Sequence, residues 1–206
     1  MRGVGRRVGS LRGASLSFLG KQNEAGYIPC SCGKVSNYCE ENSVVMEIRV
    51  GIGYDCHRLG PGSGVRLGGV FVPHDRSAVA HSDGDVLLHA VIDAILGALA
   101  QGDIGEHFPD NDPSNKGRNS CEMLAEIWEK ARIAGWQVGN LDCTIFAERP
   151  RLGTVKEQIR RSLARLLDSE VSRINVKAKT GEGVGPIGRE ELIAAEVAVL
   201  LLRETG

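Results

Sequence analysis

The run Gly53-Tyr54-Asp55-Cys56-His57, answered by His81-Ser82-Asp83-Gly84-Asp85-Val86-Leu87-Leu88-His89, restricts what this chain can fold into more than any other feature. Asp55 and His57 stand two apart in a strand-like segment, so an extended backbone turns both side chains to one face. His89 lies inside the apolar stretch Val86 to Ala100, whose length and period predict a helix with Ser82 and Asp83 as N-cap candidates. A fold that lays this helix against the end of that strand gathers one carboxylate and two imidazoles. Three protein ligands with one open position is the arrangement of a catalytic zinc. Taken alone, Asp-x-His is equally a surface pair or a hydrogen-bonded turn. Its surroundings favour the metal: Asp85, His89 and Asp93 form a polar stripe at helical spacing, and a second Asp-rich loop, Gly102-Asp103-Ile104-Gly105-Glu106-His107-Phe108-Pro109-Asp110, follows.

The rest of the pattern predicts one α/β domain. Glu47 to Ile52 reads as a first strand, Leu59 to Gly64 as a turn cluster, Val65 to Val72 as a strand, and Pro73 to Ala80 as a mobile loop beside the metal. Cys121 to Ala134 reads as an amphipathic helix stopped at Gly135. Trp136 to Phe146 and Arg173 to Lys179 read as strands, Leu152 to Asp168 as a helix, and Arg189 to Arg203 as a closing helix. Alternating strands and helices predict an α/β sandwich, a mixed sheet with helices on one side. About 160 residues suffice for one such core. With 25 Lys and Arg against 26 Asp and Glu, the net charge of −1 argues against nucleic acid as an obligate partner. No apolar run reaches the ~20 residues that span a bilayer, so no membrane partner is expected.

The first 45 residues differ in kind. Arg2, Arg6, Arg7, Arg12 and Lys21 precede the first acid, Glu24, among frequent Ser and Gly. A transit peptide, an upstream bacterial start and a disordered tail all fit this composition. The domain is expected at residues 46–206, with Met46 as a true or alternative start, in the bacterial cytoplasm, or in a plastid if the extension is a transit peptide. Cys30, Cys32 and Cys39 fit no four-ligand zinc spacing. Cys56, Cys121 and Cys143 read as reduced, mostly packing residues.

Gly183-Val184-Gly185-Pro186-Ile187-Gly188 matches G-x-G-x-x-G between a strand and an expected helix. A dinucleotide fold also needs a further strand and an acid about twenty positions on, and the sequence stops short of both. A regulatory nucleotide-binding module is therefore the weaker alternative. A zinc hydrolase of phosphoesters, acting through metal-activated water, is harder to separate on ligands alone.

From Gly51-x-Gly53-Tyr54-Asp55-x-His57 onward the chain resembles the 2-C-methyl-D-erythritol 2,4-cyclodiphosphate synthase family. Further matching motifs are Ala80 to Asp85 with His89, Gly102 to Gly105, Phe108-Pro109-Asp110-x-Asp112-Pro113, Ala147-x-x-Pro150-Arg151-Leu152 and Val176 to Thr180 with Glu182. The resemblance covers Glu47 to Arg203. It implies a homotrimer with sheets around a threefold axis and active sites at subunit boundaries. It also implies an internal phosphoryl transfer releasing CMP from a CDP-linked substrate. Asp55, His57 and His89 would hold Zn²⁺, and Glu182 a second ion, Mg²⁺ or Mn²⁺; His81 and Glu182 are the residues it assigns to catalysis. His81 and Ser82 would meet the 2-phosphate end, Asp103 and Gly105 that moiety or the ribose, and Asp110 a diol hydroxyl. From a neighbouring subunit, Ala147, Pro150, Arg151 and Leu152 would cup the cytosine, and Thr180 would donate to a phosphate; Arg189 completes the substrate set. N-capping by Ser82, loop hydrogen bonds by Asp103 and Asp110, and a solvated Arg151 remain open beside these roles. The sequence departs from the family at Glu182 to Arg189, where Pro186 stands in place of an aromatic at the mouth of the axial cavity. That puts an isoprenoid-type effector there in doubt.

Overall fold

The computed structural model describes residues 45–109 and 111–205. The readings of residues 1–44, including Cys30, Cys32 and Cys39, lie outside them. In chain order the elements are β1 (Val45–Pro61), β2 (Gly64–Leu67), β3 (Val70–Pro73), β4 (Arg76–Val79), α1 (Val86–Leu99), α2 (Ile104–His107), α3 (Ser120–Ile133), β5 (Gln137–Phe146), α4 (Lys156–Leu166), β6 (Ile174–Lys179), α5 (Gly185–Gly188) and β7 (Leu192–Thr205). Five strands form one mixed sheet in the order β4-β1-β7-β5-β6, parallel only between β5 and β6. The expected α/β architecture holds, with α1 packed against β1 and β7.

The expected closing helix is a strand. β7 runs antiparallel between β1 and β5, pairing Val45↔Thr205 through Arg58↔Leu192 on one side and Phe146↔Ala194 through Gln137↔Leu202 on the other. Ala194, Ala195, Ala198 and the leucines that follow suit a helix by propensity. A central strand covered by a helix, however, reads as a nearly continuous apolar run, and periodicity cannot tell the two apart. The first strand is far longer than its expected core, because β7 offers it fourteen register partners. The single strand expected at 65–72 is a hairpin, β2 and β3, turning at Gly68 and Gly69, both with positive φ (62° and 79°). The loop expected at 73–80 contains β4, which pairs with β1 from Arg58↔Val79 to Pro61↔Arg76.

The closest approach in the core lies between β1 and α1. A Cβ on Gly51 or Gly53 would overlap the carbonyl oxygens of Ala94 and Ala90, so the small residues of strand and helix let two backbones touch. α1 is capped by Asp85 rather than by Ser82 or Asp83. The fully buried Asp85 carboxylate accepts from Leu88 N (3.0 Å), Gly68 N (2.9 Å) and Gly69 N (2.7 Å), tying the helix start to the hairpin turn. The other face of β1 carries Ile48, Val50, Ile52 and Tyr54, all exposed. Cys143 is buried, which pushes its thiol up to about 12; Cys121 is half-buried, and Cys56 is exposed instead of packed.

Candidate active site

Strand alternation puts Asp55 and His57 on the α1 side of β1, two and four residues beyond the Gly53 contact. α1 runs back along the strand, and His89 is the residue immediately before Ala90 at the N-terminal end of that contact. Its Nδ1 is 3.0 Å from Asp55 Oδ2 and 3.1 Å from His57 Nε2, and His57 Nε2 is 3.2 Å from the same Asp55 oxygen. Ligand atoms held about 2.0 Å from a tetrahedral zinc stand about 3.3 Å apart. The triad is already near that spacing, and its N, N, O donor set suits the metal. Among the described residues these three side chains form the cluster able to hold a metal ion.

The protonation states also fit. Burial lowers the His57 pKa, outweighing the opposing pull of Asp55, so the imidazole stays neutral and free to ligate. Burial pushes the Asp55 carboxyl up, but the adjacent His89 and His57 rings outweigh it and hold it below the ordinary aspartate range. A neutral imidazole and an ionised carboxylate are what a divalent ion requires.

The triad opens into a cavity of about 320 Å³ lined also by Ala80, His81, Ser82, Gly105 and Phe108. Of the residues expected from sequence, the structure gathers Asp55, His57, His89, His81, Ser82 and Gly105 here. Asp103 instead caps α2, accepting from Glu106 N (3.0 Å), and Asp93 of the polar stripe accepts from Ile104 N (2.8 Å). Asp110 lies outside the described residues.

The other expected residues belong to a second cluster, away from this cavity's lining. Ala147 N donates to Lys179 O (2.9 Å), which joins the Ala147–Leu152 turn to the end of β6. Glu148, which the sequence did not single out, accepts from Gly181 N (3.1 Å) and so braces that turn against the loop holding Thr180 and Glu182. Thr180 Oγ1 donates to Glu182 Oε1 (2.8 Å), Arg189 pairs with Glu191 (2.8 Å), and Arg151 is exposed. The G-x-G-x-x-G segment itself contains the four-residue α5 and is followed by antiparallel β7, which is no dinucleotide-binding unit.

Fold and donor set together define an α/β domain with a triad able to hold a divalent cation, lining an open cavity. The chain belongs to the YgbB family, whose model matches residues 48–202. It is 49% identical over 154 residues to the 2-C-methyl-D-erythritol 2,4-cyclodiphosphate synthase of Treponema denticola, an alignment covering 75% of this chain and 96% of that one. It is 46% identical over 156 residues to the synthase of the same name from Bacillus cereus, covering 76% and 99%. Among solved structures it resembles IspF of Plasmodium falciparum in complex with CDP, with a TM-score of 0.68 and 32% identity, over 77% of this chain and 97% of that one.

Proposed function

We propose that residues 46–206 convert 4-diphosphocytidyl-2-C-methyl-D-erythritol 2-phosphate to 2-C-methyl-D-erythritol 2,4-cyclodiphosphate and CMP. The observation that carries this is the convergence of Asp55, His57 and His89 on one open cavity in a chain of this family. An oxygen of the 2-phosphate forms a bond to the β-phosphorus. The bond from that phosphorus to the bridging oxygen breaks, and CMP leaves with the α-phosphate. Both reacting groups are anionic, so the protein must position them and offset their repulsion rather than supply a strong base. Asp55, His57 and His89 hold Zn²⁺, and Glu182 holds Mg²⁺ or Mn²⁺. Bound, these ions supply the positive charge that withdraws electron density from the diphosphate. His81, Ser82 and Gly105, on the cavity wall, hold the 2-phosphate end, with Asp103 and Asp110 close to Gly105 in sequence. Ala147, Pro150, Arg151 and Leu152 receive the cytosine, and Thr180 and Arg189 face the phosphates.

The two clusters of one chain serve different sites in this reading. The exposed Ile48, Val50, Ile52 and Tyr54 on β1 give three copies an apolar sheet face to pack around an axis, which brings the cytosine cluster of one copy to the triad of the next. The setting is the bacterial cytoplasm, or a plastid if residues 1–45 are a transit peptide. Among the described residues no helix is long and apolar enough to cross a membrane.

The test follows CMP and the cyclic product together in ¹⁸O-labelled water. Label-free cyclic diphosphate supports the reading; a linear, ¹⁸O-labelled phosphate would show a hydrolase instead. In the same assay His57→Ala and His89→Ala are expected to lose zinc and at least a hundredfold in rate while keeping their far-UV circular dichroism. Full zinc content in both would reject the triad.

A further inference from the structure

The triad is supported from behind by two residues that the reading above leaves unused. His89 turns Nδ1 toward Asp55 and His57, and its Nε2 lies 2.9 Å from Ser120 Oγ. Ser120 is fully buried at the first turn of α3, a helix distant in sequence from both ligand segments. Its hydroxyl donates to Asp83 Oδ1, and its backbone N reaches the same oxygen at 3.3 Å. A hydroxyl has one proton. Given to the Asp83 carboxylate, it leaves Ser120 Oγ a lone pair for His89, so the proton on the imidazole must sit on Nε2. That leaves the Nδ1 lone pair pointing at the metal position. Ser82 Oγ, 3.1 Å from the same Nε2, is a second acceptor at the cavity edge, but it already accepts from Gly84 N (3.1 Å), and among the described residues no acceptor fixes its proton as Asp83 fixes that of Ser120.

We propose that Asp83 and Ser120 are positioning residues that hold His89 in the Nε2–H tautomer and thereby set zinc affinity. The proposal rests on the metal reading of the triad. Outer partners of a ligating imidazole change metal affinity by about ten- to a hundredfold.

The experiment measures the zinc Kd of the full-length chain by competition with a chromophoric chelator, and the visible spectrum of the Co²⁺-loaded form. Ser120→Ala and Asp83→Ala are each expected to weaken zinc about tenfold or more and to alter the cobalt bands, with the melting temperature of the metal-free chain little changed. Ser120→Thr, which keeps the hydroxyl, should recover most of the affinity. A zinc Kd within twofold of wild type in folded Ser120→Ala overturns the proposal. If that variant does not fold, the same result in Asp83→Ala overturns it. A wild-type chain that takes up no zinc would instead defeat the triad itself.

Discussion

Glu182 shows how little a single residue reveals by its own surroundings. It sits in the left-handed region at φ 52°, exposed, with its carboxylate accepting from Thr180, away from the Asp55–His57–His89 cavity. A hard, water-rich cation needs few protein ligands when phosphate oxygens supply the rest. Glu182→Gln should therefore leave zinc content at the wild-type level while turnover falls about tenfold or more and the Mg²⁺ requirement moves to higher concentration. Elemental analysis and a Mg²⁺ titration on one preparation check this, and an unchanged Mg²⁺ curve would remove Glu182 from the metal machinery. The Asp55–His57–His89 triad was legible in sequence because Asp-x-His on a strand and His on a helix carry their geometry with them. Ser120 was not, since nothing at its own position links it to a histidine on another helix.

At the scale of elements, the packing of α1 on β1 sets the distance between ligands. Gly53 lets the strand touch the Ala90 carbonyl, and Asp55 lies two residues on. Gly53→Ala must push strand and helix apart, because the obstructing atoms are backbone and cannot rotate away. The expected cost is about 3 kcal/mol, a fall in Tm of about 10 °C, together with weaker zinc binding. A Tm within a degree or two of wild type would show the contact to be looser than described. The far end of the same strand carries a pH dependence. Hydrogen bonds from Arg203 and Arg49 (3.1 and 2.8 Å) hold the Glu47 carboxyl below the ordinary glutamate range, and both guanidinium groups lie over the Trp136 ring. A depressed carboxylate adds stability that is present above its unfolded pKa and is lost as pH falls through the folded value. Wild type should thus lose stability below about pH 4.3 more steeply than Glu47→Gln, as read from urea midpoints across pH. Parallel curves would mean that Glu47 is merely solvated.

At the scale of the whole molecule, one face of β1 is left uncovered among the described residues, and Ile52 is 69% exposed there. Ile52→Lys should leave the monomer folded, since its side chain is exposed, but abolish the proposed trimer and cut activity by a hundredfold or more. Light scattering coupled to size exclusion checks the mass, and a fully active monomer would mean that the site is complete within one chain. The sequence by itself determined the α/β class, α1, α3, β5 and β6, because each rests on local periodicity, and it singled out the triad because Asp55 and His57 stand two apart on a strand and His89 lies on a helix. Only the tertiary structure decided that residues 192–205 are a strand, that Asp85 caps α1, and that Ser120 stands behind His89. A run such as Leu-Ile-Ala-Ala-Glu-Val-Ala-Val suits helix and buried strand alike, and the choice falls to the hydrogen bonds that β1 and β5 offer on either side. Capping and outer-sphere contacts likewise depend on which donors the fold brings near, and that is settled by packing between segments far apart in the chain.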